Sequence, residues 1–250
     1  MNTHCSTCSL ARFCLPGTMC HVEAERLDAI VTKQIRLKKG TVLYSLGDPV
    51  DAIYAIRLGT LKSHVSTEDG RSQIVAFHLQ GEVVGLDSLL LPRHASYATA
   101  LEDATLCVIP TASLTSLSDD MPALRRQLLL SMSREAQHDR TMLTTLGLMS
   151  AEERLIAFLI KLSERLSARG FAASEFILRM SREEIGSYLG LKLETVSRLF
   201  SRLADAGLLE VNHRRVKLVN MAALRATYDR SKSAVPQPPE ESRQRERMPA

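Results

Sequence analysis

The sequence has no run of about eighteen apolar residues, so no segment of it predicts a membrane-spanning helix. Its start, Met1-Asn2-Thr3-His4-Cys5, lacks the basic-then-apolar pattern of a secretory signal. A cytoplasmic protein with no membrane partner is the expectation. Cysteine is scarce, with five among 250 residues. An odd count, in a compartment that keeps thiols reduced, speaks against a disulfide framework. No glycine-rich nucleotide loop or catalytic triad pattern stands out, and the seven histidines do not cluster at metal-ligand spacing. An enzyme or electron carrier is therefore the least supported reading, and no enzyme is expected.

What cysteine there is, is concentrated. Cys5, Cys8 and Cys14 read C-x2-C-x5-C, Cys20 follows, and Cys107 stands alone in Leu106-Cys107-Val108-Ile109-Pro110. Three close thiolates and a distant fourth can wrap a four-coordinate centre once folding returns the distant one to the loop. Thiolates are soft donors that select zinc or iron–sulfur centres over calcium or magnesium. Zinc sites usually pair C-x2-4-C twice, and no second such pair exists here. Spacing alone leaves iron–sulfur, structural zinc and unliganded thiols all open. At 45% hydrophobic and 24% charged residues the chain can bury real cores. A net charge of +4 and a pI near 8.9 are compatible with an anionic partner.

The pattern changes several times along the chain. Residues 1–21 form a cysteine-rich loop. Within 22–120, Val22 to Lys33 reads as a short amphipathic helix. Short β-rich runs follow at Thr41–Tyr44, Ala52–Leu58, Thr60–Val65, Gln73–Leu79, Glu82–Leu86, Tyr97–Ala100 and Thr105–Pro110, with glycine turns between them. They predict a compact antiparallel β-roll, a cupin-like jelly roll, as a sensor domain. After a helical turn at Thr111–Leu117, residues 121–149 hold one long helix from Leu124 to Met149. Leu129, Met132, Ala136, Asp139, Leu143 and Leu146 alternate at steps of three and four, a coiled-coil seam for a homodimer. Leu128, Met132, Glu135, Asp139, Met142, Leu146 and Met149 fit equally well, and the sequence does not choose. In either register Asp139 faces its twin, and like charges repel.

Residues 150–228 carry two capping boxes, Ser150 with Glu153 and Ser181 with Glu184, opening helices Ala151–Ala168 and Arg182–Leu189. A glycine turn, a helix from Leu193 to about Ala206 and a two-stranded hairpin over Leu208–Val219 complete a winged helix-turn-helix. From Arg179 to Lys217 there are eight Lys or Arg and five Asp or Glu, a net of +3 where phosphate contacts are needed. On the second helix Glu194, Ser197 and Arg198 can reach base edges: Arg198 to guanine O6 and N7, Glu194 to cytosine N4. Glu194 and Arg198 can equally form an i,i+4 ion pair. Arg202, and Arg214 and Arg215 in the wing, suit phosphates. Residues 229–250 are proline-rich and charged and predict a disordered tail. The fold class is thus α+β, with roll, long dimerisation helix and winged helix-turn-helix in that order.

With these features in order, the chain resembles the CRP/FNR superfamily of bacterial regulators from Cys5 to Val219. It is most similar to the FNR branch, the oxygen-responsive regulators of fumarate and nitrate respiration. The Phe77 to Gly85 stretch and Ala151-Glu152-Glu153-Arg154-Leu155 add to the likeness. The resemblance implies one 4Fe-4S cluster per subunit, with its ligands at Cys5, Cys8, Cys14 and Cys107, while Cys20 has no ligand counterpart. It implies base reading by Glu194, Ser197 and Arg198 at a palindromic TTGAT-type site on double-stranded DNA. It also implies conditional dimerisation through Asp139, and an activator that contacts RNA polymerase partly through the Ser66–Ser72 loop. There Arg71 departs from the acidic or neutral residue expected. Cyclic-nucleotide members hold the phosphate with an arginine where this chain has Ala95, and a glutamate motif where it has Gly85-Leu86-Asp87, which disfavours that ligand. The alternative is a CRP-like regulator with a structural zinc or thiol redox switch, taking a small ligand or haem.

Overall fold

The computed structural model describes residues 4–17 and 19–233, with side chains to Arg230. It divides into two units: the chain up to Thr141 together with Arg179–Lys192, and Met142–Leu178 together with the chain from Leu193.

In the first unit helix α1 (His21–Ile30) precedes eight strands: β1 (Lys33–Leu37), β2 (Val42–Tyr44), β3 (Ala52–Leu58), β4 (Leu61–Ser66), β5 (Ser72–His78), β6 (Val83–Val84), β7 (Tyr97–Ala100) and β8 (Ala104–Pro110). They form two four-stranded antiparallel sheets, ordered β1-β8-β3-β6 and β2-β7-β4-β5. Ile56 and Leu106 from one sheet meet Tyr44, Leu61, Ala98 and Ala100 from the other in a shared core. Strand side chains alternate between faces. On β8, Leu106 therefore enters the roll interior while Cys107 and Ile109 face the opposite way, into a second core. There they join Ile53 and Ala55 of β3, Leu15, Leu27 of α1, Leu114 of α2 (Thr111–Asp120), and Leu124 and Leu128 of α3 (Pro122–Leu148).

Two expectations shift here. The first helix ends at Ile30 rather than Lys33, and Lys33–Leu37 becomes β1, paired with β8. Val31 and Thr32 are β-branched and disfavour continuing the helix. The turn expected at Thr111–Leu117 is a full ten-residue helix to Asp120.

Helix α5 (Arg182–Leu189), opened by its Ser181–Glu184 capping box, packs in this unit on the edge strand β5. Lys62 Nζ pairs with Glu184 at 2.8 Å, and the Ile74 N–H donates to Ser187 Oγ at 3.0 Å. Phe77 and Tyr188 lie 5.1 Å apart, centroid to centroid.

The second unit contains α4 (Ala151–Ala168), β9 (Glu175–Ile177), α6 (Leu193–Asp205), β10 (Leu209–Asn212), β11 (Arg215–Leu218) and α7 (Met221–Ser233). Ser150 and Glu153 cap α4 reciprocally, as expected. The wing carries a third strand, β9, with Phe176 opposite Val216 in the order β10-β11-β9. Helix α7 packs on α4 through Leu224 and Tyr228, both buried. The tail expected to be unstructured from 229 is thus helical to Ser233, because Leu224 and Tyr228 anchor the turns before it. Residues 234–250 lie outside the described residues.

Candidate cysteine centre and nucleic-acid interface

The cysteine loop is wound by short backbone bonds. The Cys8 N–H donates to the Cys5 carbonyl at 3.2 Å, Ala11 N–H to Cys8 at 3.0 Å, and Cys14 N–H to Ala11 at 3.0 Å, around a single 3-10 turn, Ala11–Phe13. This winding turns Cys5, Cys8 and Cys14 toward the face of β8 that carries Cys107. All four line one apolar cavity of about 30 Å³, with Leu15, Leu27 and Ile109 in its wall. Cys20 is exposed at the N-cap of α1, where its N–H donates to Glu23 at 2.9 Å, and it does not reach the cavity.

The loop is seated on its surroundings at three points. Asp28 of α1 accepts the N–H groups of Cys5 and Ser6, the latter at 3.3 Å, and the Ser6 hydroxyl at 2.6 Å. Gly81, at φ +86°, lets Phe13 approach so closely that an added Cβ would lie 2.7 Å from the Phe13 Cβ. Gln127 of α3 donates to the Cys14 carbonyl at 3.5 Å, and its side chain would meet a Cβ on Gly17 at 2.7 Å. Asp28 and Gln127 were not among the residues singled out from sequence, since both act on partners far away along the chain.

Electrostatics explain what this pocket asks of a guest. Burial pushes the Cys5 thiol well above its ordinary value, and Cys14, Asp28, Cys107 and Cys8 push it further. Cys14 is pushed up to about 12, chiefly by burial and then by Cys107 and Cys8. Cys107 is raised by burial too, with Arg57 acting the other way. Four thiolates here would be uncompensated without a cationic centre, and binding one would release their protons. Among the described residues no three His, Cys, Asp or Glu side chains are close enough to hold a single metal ion.

On α3 the burial distinguishes the two seam registers. Leu128 is 8% exposed and Met149 is buried, whereas Leu129 and Leu143 are 59% and 72% exposed. Ala136 and Asp139 are exposed on the same stripe, with Met132 and Leu146 half-buried at its margin. The register through Leu129, Met132, Ala136, Asp139, Leu143 and Leu146 is therefore the one left uncovered.

Helix α6 buries Val196, Leu199, Phe200 and Leu203 and leaves Glu194, Ser197, Arg198 and Arg202 on the open face. The Arg198 Nε donates to the Glu194 backbone carbonyl at 3.4 Å, so the contact is to backbone rather than a carboxylate ion pair. Arg202 pairs with Glu152 at 3.3 Å and Arg215 with Glu175 at 2.9 Å, both largely exposed, while Arg214 sits at the wing tip. Exposed pairs of this kind are worth about 0–1 kcal/mol and yield readily to a phosphate. In the β4–β5 turn, Arg71 pairs with Asp69 at 2.8 Å, which offsets the charge that departs from expectation. No helix among the described residues is long and apolar enough to cross a membrane.

Comparison with known proteins agrees with this layout. Residues 34–120 match the cyclic nucleotide-binding domain, and residues 153–227 match the Crp-like helix-turn-helix domain. The transcriptional regulatory protein btr of Bordetella pertussis is 47% identical over 222 residues, covering 89% of this chain and 92% of that protein. The fumarate and nitrate reduction regulatory protein of Vibrio cholerae is 44% identical over 221 residues, covering 88% of each. Among solved structures, FixK2 from Bradyrhizobium japonicum superposes with a TM-score of 0.73 at 33% identity, covering 78% of this chain and 96% of that one. The chain belongs to the CRP/FNR family, whose members are DNA-binding regulators of transcription and not enzymes.

Proposed function

We propose that the protein regulates genes of anaerobic, fumarate- and nitrate-linked metabolism in response to oxygen, as a homodimer on a palindromic TTGAT-type site. In this reading Cys5, Cys8, Cys14 and Cys107 hold one 4Fe-4S cluster per subunit. The observation that carries it is the convergence of these four cysteines, and not Cys20, on one cavity whose wall continues into the core beneath α3. Thiolates are soft donors of the kind that bind iron–sulfur clusters, and the C-x2-C-x5-C loop has no second C-x2-4-C pair of the sort zinc sites usually carry.

Bound, such a cluster supplies an oxygen-labile link between the loop and β8. With the thiolates held together, the loop stays seated on Leu124 and Gln127, and α3 offers Leu129, Ala136 and Leu143 to a second copy. Once they separate, that seat loosens and the repulsion between twin Asp139 carboxylates opposes pairing. A dimer can set two α6 helices about one DNA turn apart. There Glu194, Ser197 and Arg198 read bases, and Arg202, Arg214 and Arg215 grip phosphates. Activation through RNA polymerase would use the Ser66–Ser72 turn. Against a cyclic nucleotide stand Arg93, which donates outward to the Gly47 carbonyl at 2.7 Å, and Asp87, which accepts from Ser96 at 3.1 Å and would repel a phosphate.

The test is a visible spectrum of protein purified without oxygen, followed by air. Broad brown absorbance that bleaches as dimer becomes monomer is expected. It should be lost in Cys5→Ser, Cys8→Ser, Cys14→Ser and Cys107→Ser and kept in Cys20→Ser. A colourless wild type that binds DNA equally in air would refute the cluster and leave the regulator.

A further inference from the structure

We infer that Asp28 is the positioning residue of the cysteine centre: its carboxylate fixes the backbone of Cys5 and Ser6, and so holds the first thiol at the cavity. The inference rests on the proposed function of that centre. The other three cysteines have regular anchors. Cys107 lies inside β8, and Cys8 and Cys14 belong to the hydrogen-bonded turns around Ala11–Phe13. The carbonyl of Cys5 accepts from Cys8, but its N–H donates to a side chain 23 residues away.

Asp28 is suited to this task. It projects from α1, whose Leu27 is 1% exposed in the core, so the carboxylate stands on a rigid base. One oxygen accepts two backbone N–H groups and the other accepts the Ser6 hydroxyl at 2.6 Å, with His4 Nδ1 3.5 Å away. Its side chain is only 14% exposed, so water competes weakly for these bonds. A carboxylate beside thiolates also repels them, which makes it a liability on charge alone. Its service must then be geometric, and an amide that keeps an acceptor oxygen should replace it in large part.

The full chain would be compared as wild type, Asp28→Ala, Asp28→Asn and Ser6→Ala. In reduced, metal-free protein, alkylation of Cys5 by iodoacetamide is followed by mass spectrometry, with exposed Cys20 as internal reference. Losing charge-assisted bonds to Asp28 should speed Cys5 alkylation about tenfold or more in Asp28→Ala. Asp28→Asn should stay within about threefold of wild type, and Ser6→Ala should be intermediate. In loaded protein, bleaching in air should accelerate in the same order. Cys5 alkylation at the wild-type rate in Asp28→Ala overturns the inference, as does an Asn variant as fast as Ala. If no variant, wild type included, shows visible absorbance, the cluster reading fails while the alkylation series still decides the role of Asp28.

Discussion

Removal of one exposed leucine from α3 should weaken the dimer while leaving the fold intact. Leu143 is 72% exposed on the uncovered stripe. Fully burying a leucine side chain is worth about 1.5–3 kcal/mol, so covering the exposed part gains about 1–2 kcal/mol per copy. Alanine retains the Cβ and forfeits most, not all, of that gain. The twofold dimer counts the change twice, for a total of about 2–3 kcal/mol, or roughly 30- to 150-fold in Kd. Leu143→Ala measured by sedimentation equilibrium of anaerobically purified protein should show this loss with an almost unchanged melting temperature. Leu128→Ala provides the contrast, because Leu128 is 8% exposed in the core of its own unit. There the cost is about 2–5 kcal/mol of fold stability. A Leu143→Ala dimer as tight as wild type, or a Leu128→Ala variant that loses dimerisation without losing stability, would refute the assignment of the stripe.

Asp139→Ala should remove the like-charge repulsion on that stripe and give a dimer that persists in air, read by the same sedimentation experiment; a variant that stays monomeric in air contradicts the role given to Asp139. Glu135 carries a carboxyl pushed from 4.5 up to about 7, by burial first and then by Asp87 and Asp139. A raised folded value means the fold binds the proton better than the unfolded chain, so this contribution is complete below 4.5 and is lost as pH rises to about 7. The melting temperature of wild type relative to Glu135→Gln should therefore fall between about pH 4.5 and pH 7; a flat difference is the opposing result. Arg198→Ala should cost about 1–3 kcal/mol of operator affinity and relax preference at one base pair, whereas Arg202→Ala should weaken all sequences alike and lower the salt slope by about one. Equal losses on specific and random DNA for Arg198→Ala would place it on phosphate.

Local chemistry made much of this molecule readable before any coordinates. The Ser150–Glu153 and Ser181–Glu184 boxes lie within one helical turn, and their helices begin where the boxes predict. Ala52–Leu58 and Tyr97–Ala100 alternate or run apolar between turn residues, and both are strands at those bounds. What stayed hidden depends on partners far off in sequence. Lys33–Leu37 carries little strand pattern of its own and is a strand because β8 supplies its hydrogen bonds. Glu175–Ile177 is too short to signal, and needs β11. The choice between α3 registers required knowing that Leu124 and Leu128 are taken up by the second core. Among the site residues the four cysteines were legible by type and spacing, whereas Asp28 and Gln127 are ordinary polar residues until folding brings them to the loop.

Under the proposed function, the same distinction bears on how a signal at the cysteines would reach α3. The polar tie is slight: Gln127 donates to the Cys14 carbonyl at 3.5 Å. The apolar tie is broad: Leu15, one residue beyond Cys14, is 2% exposed in a core it shares with Leu124, Leu128 and Cys107. Packed cores resist gradual deformation, since a gap of even a methylene costs measurable stability. A loop joined to a helix through such a core would therefore, if it is the proposed switch, favour two conditions, seated or detached, with little between them. This makes the loop a better switch than a set of hydrogen bonds to water-exposed partners, which could lengthen one at a time. The exposed stripe of α3 needs no contact with the cysteines to respond, because its opposite face already forms part of their enclosure.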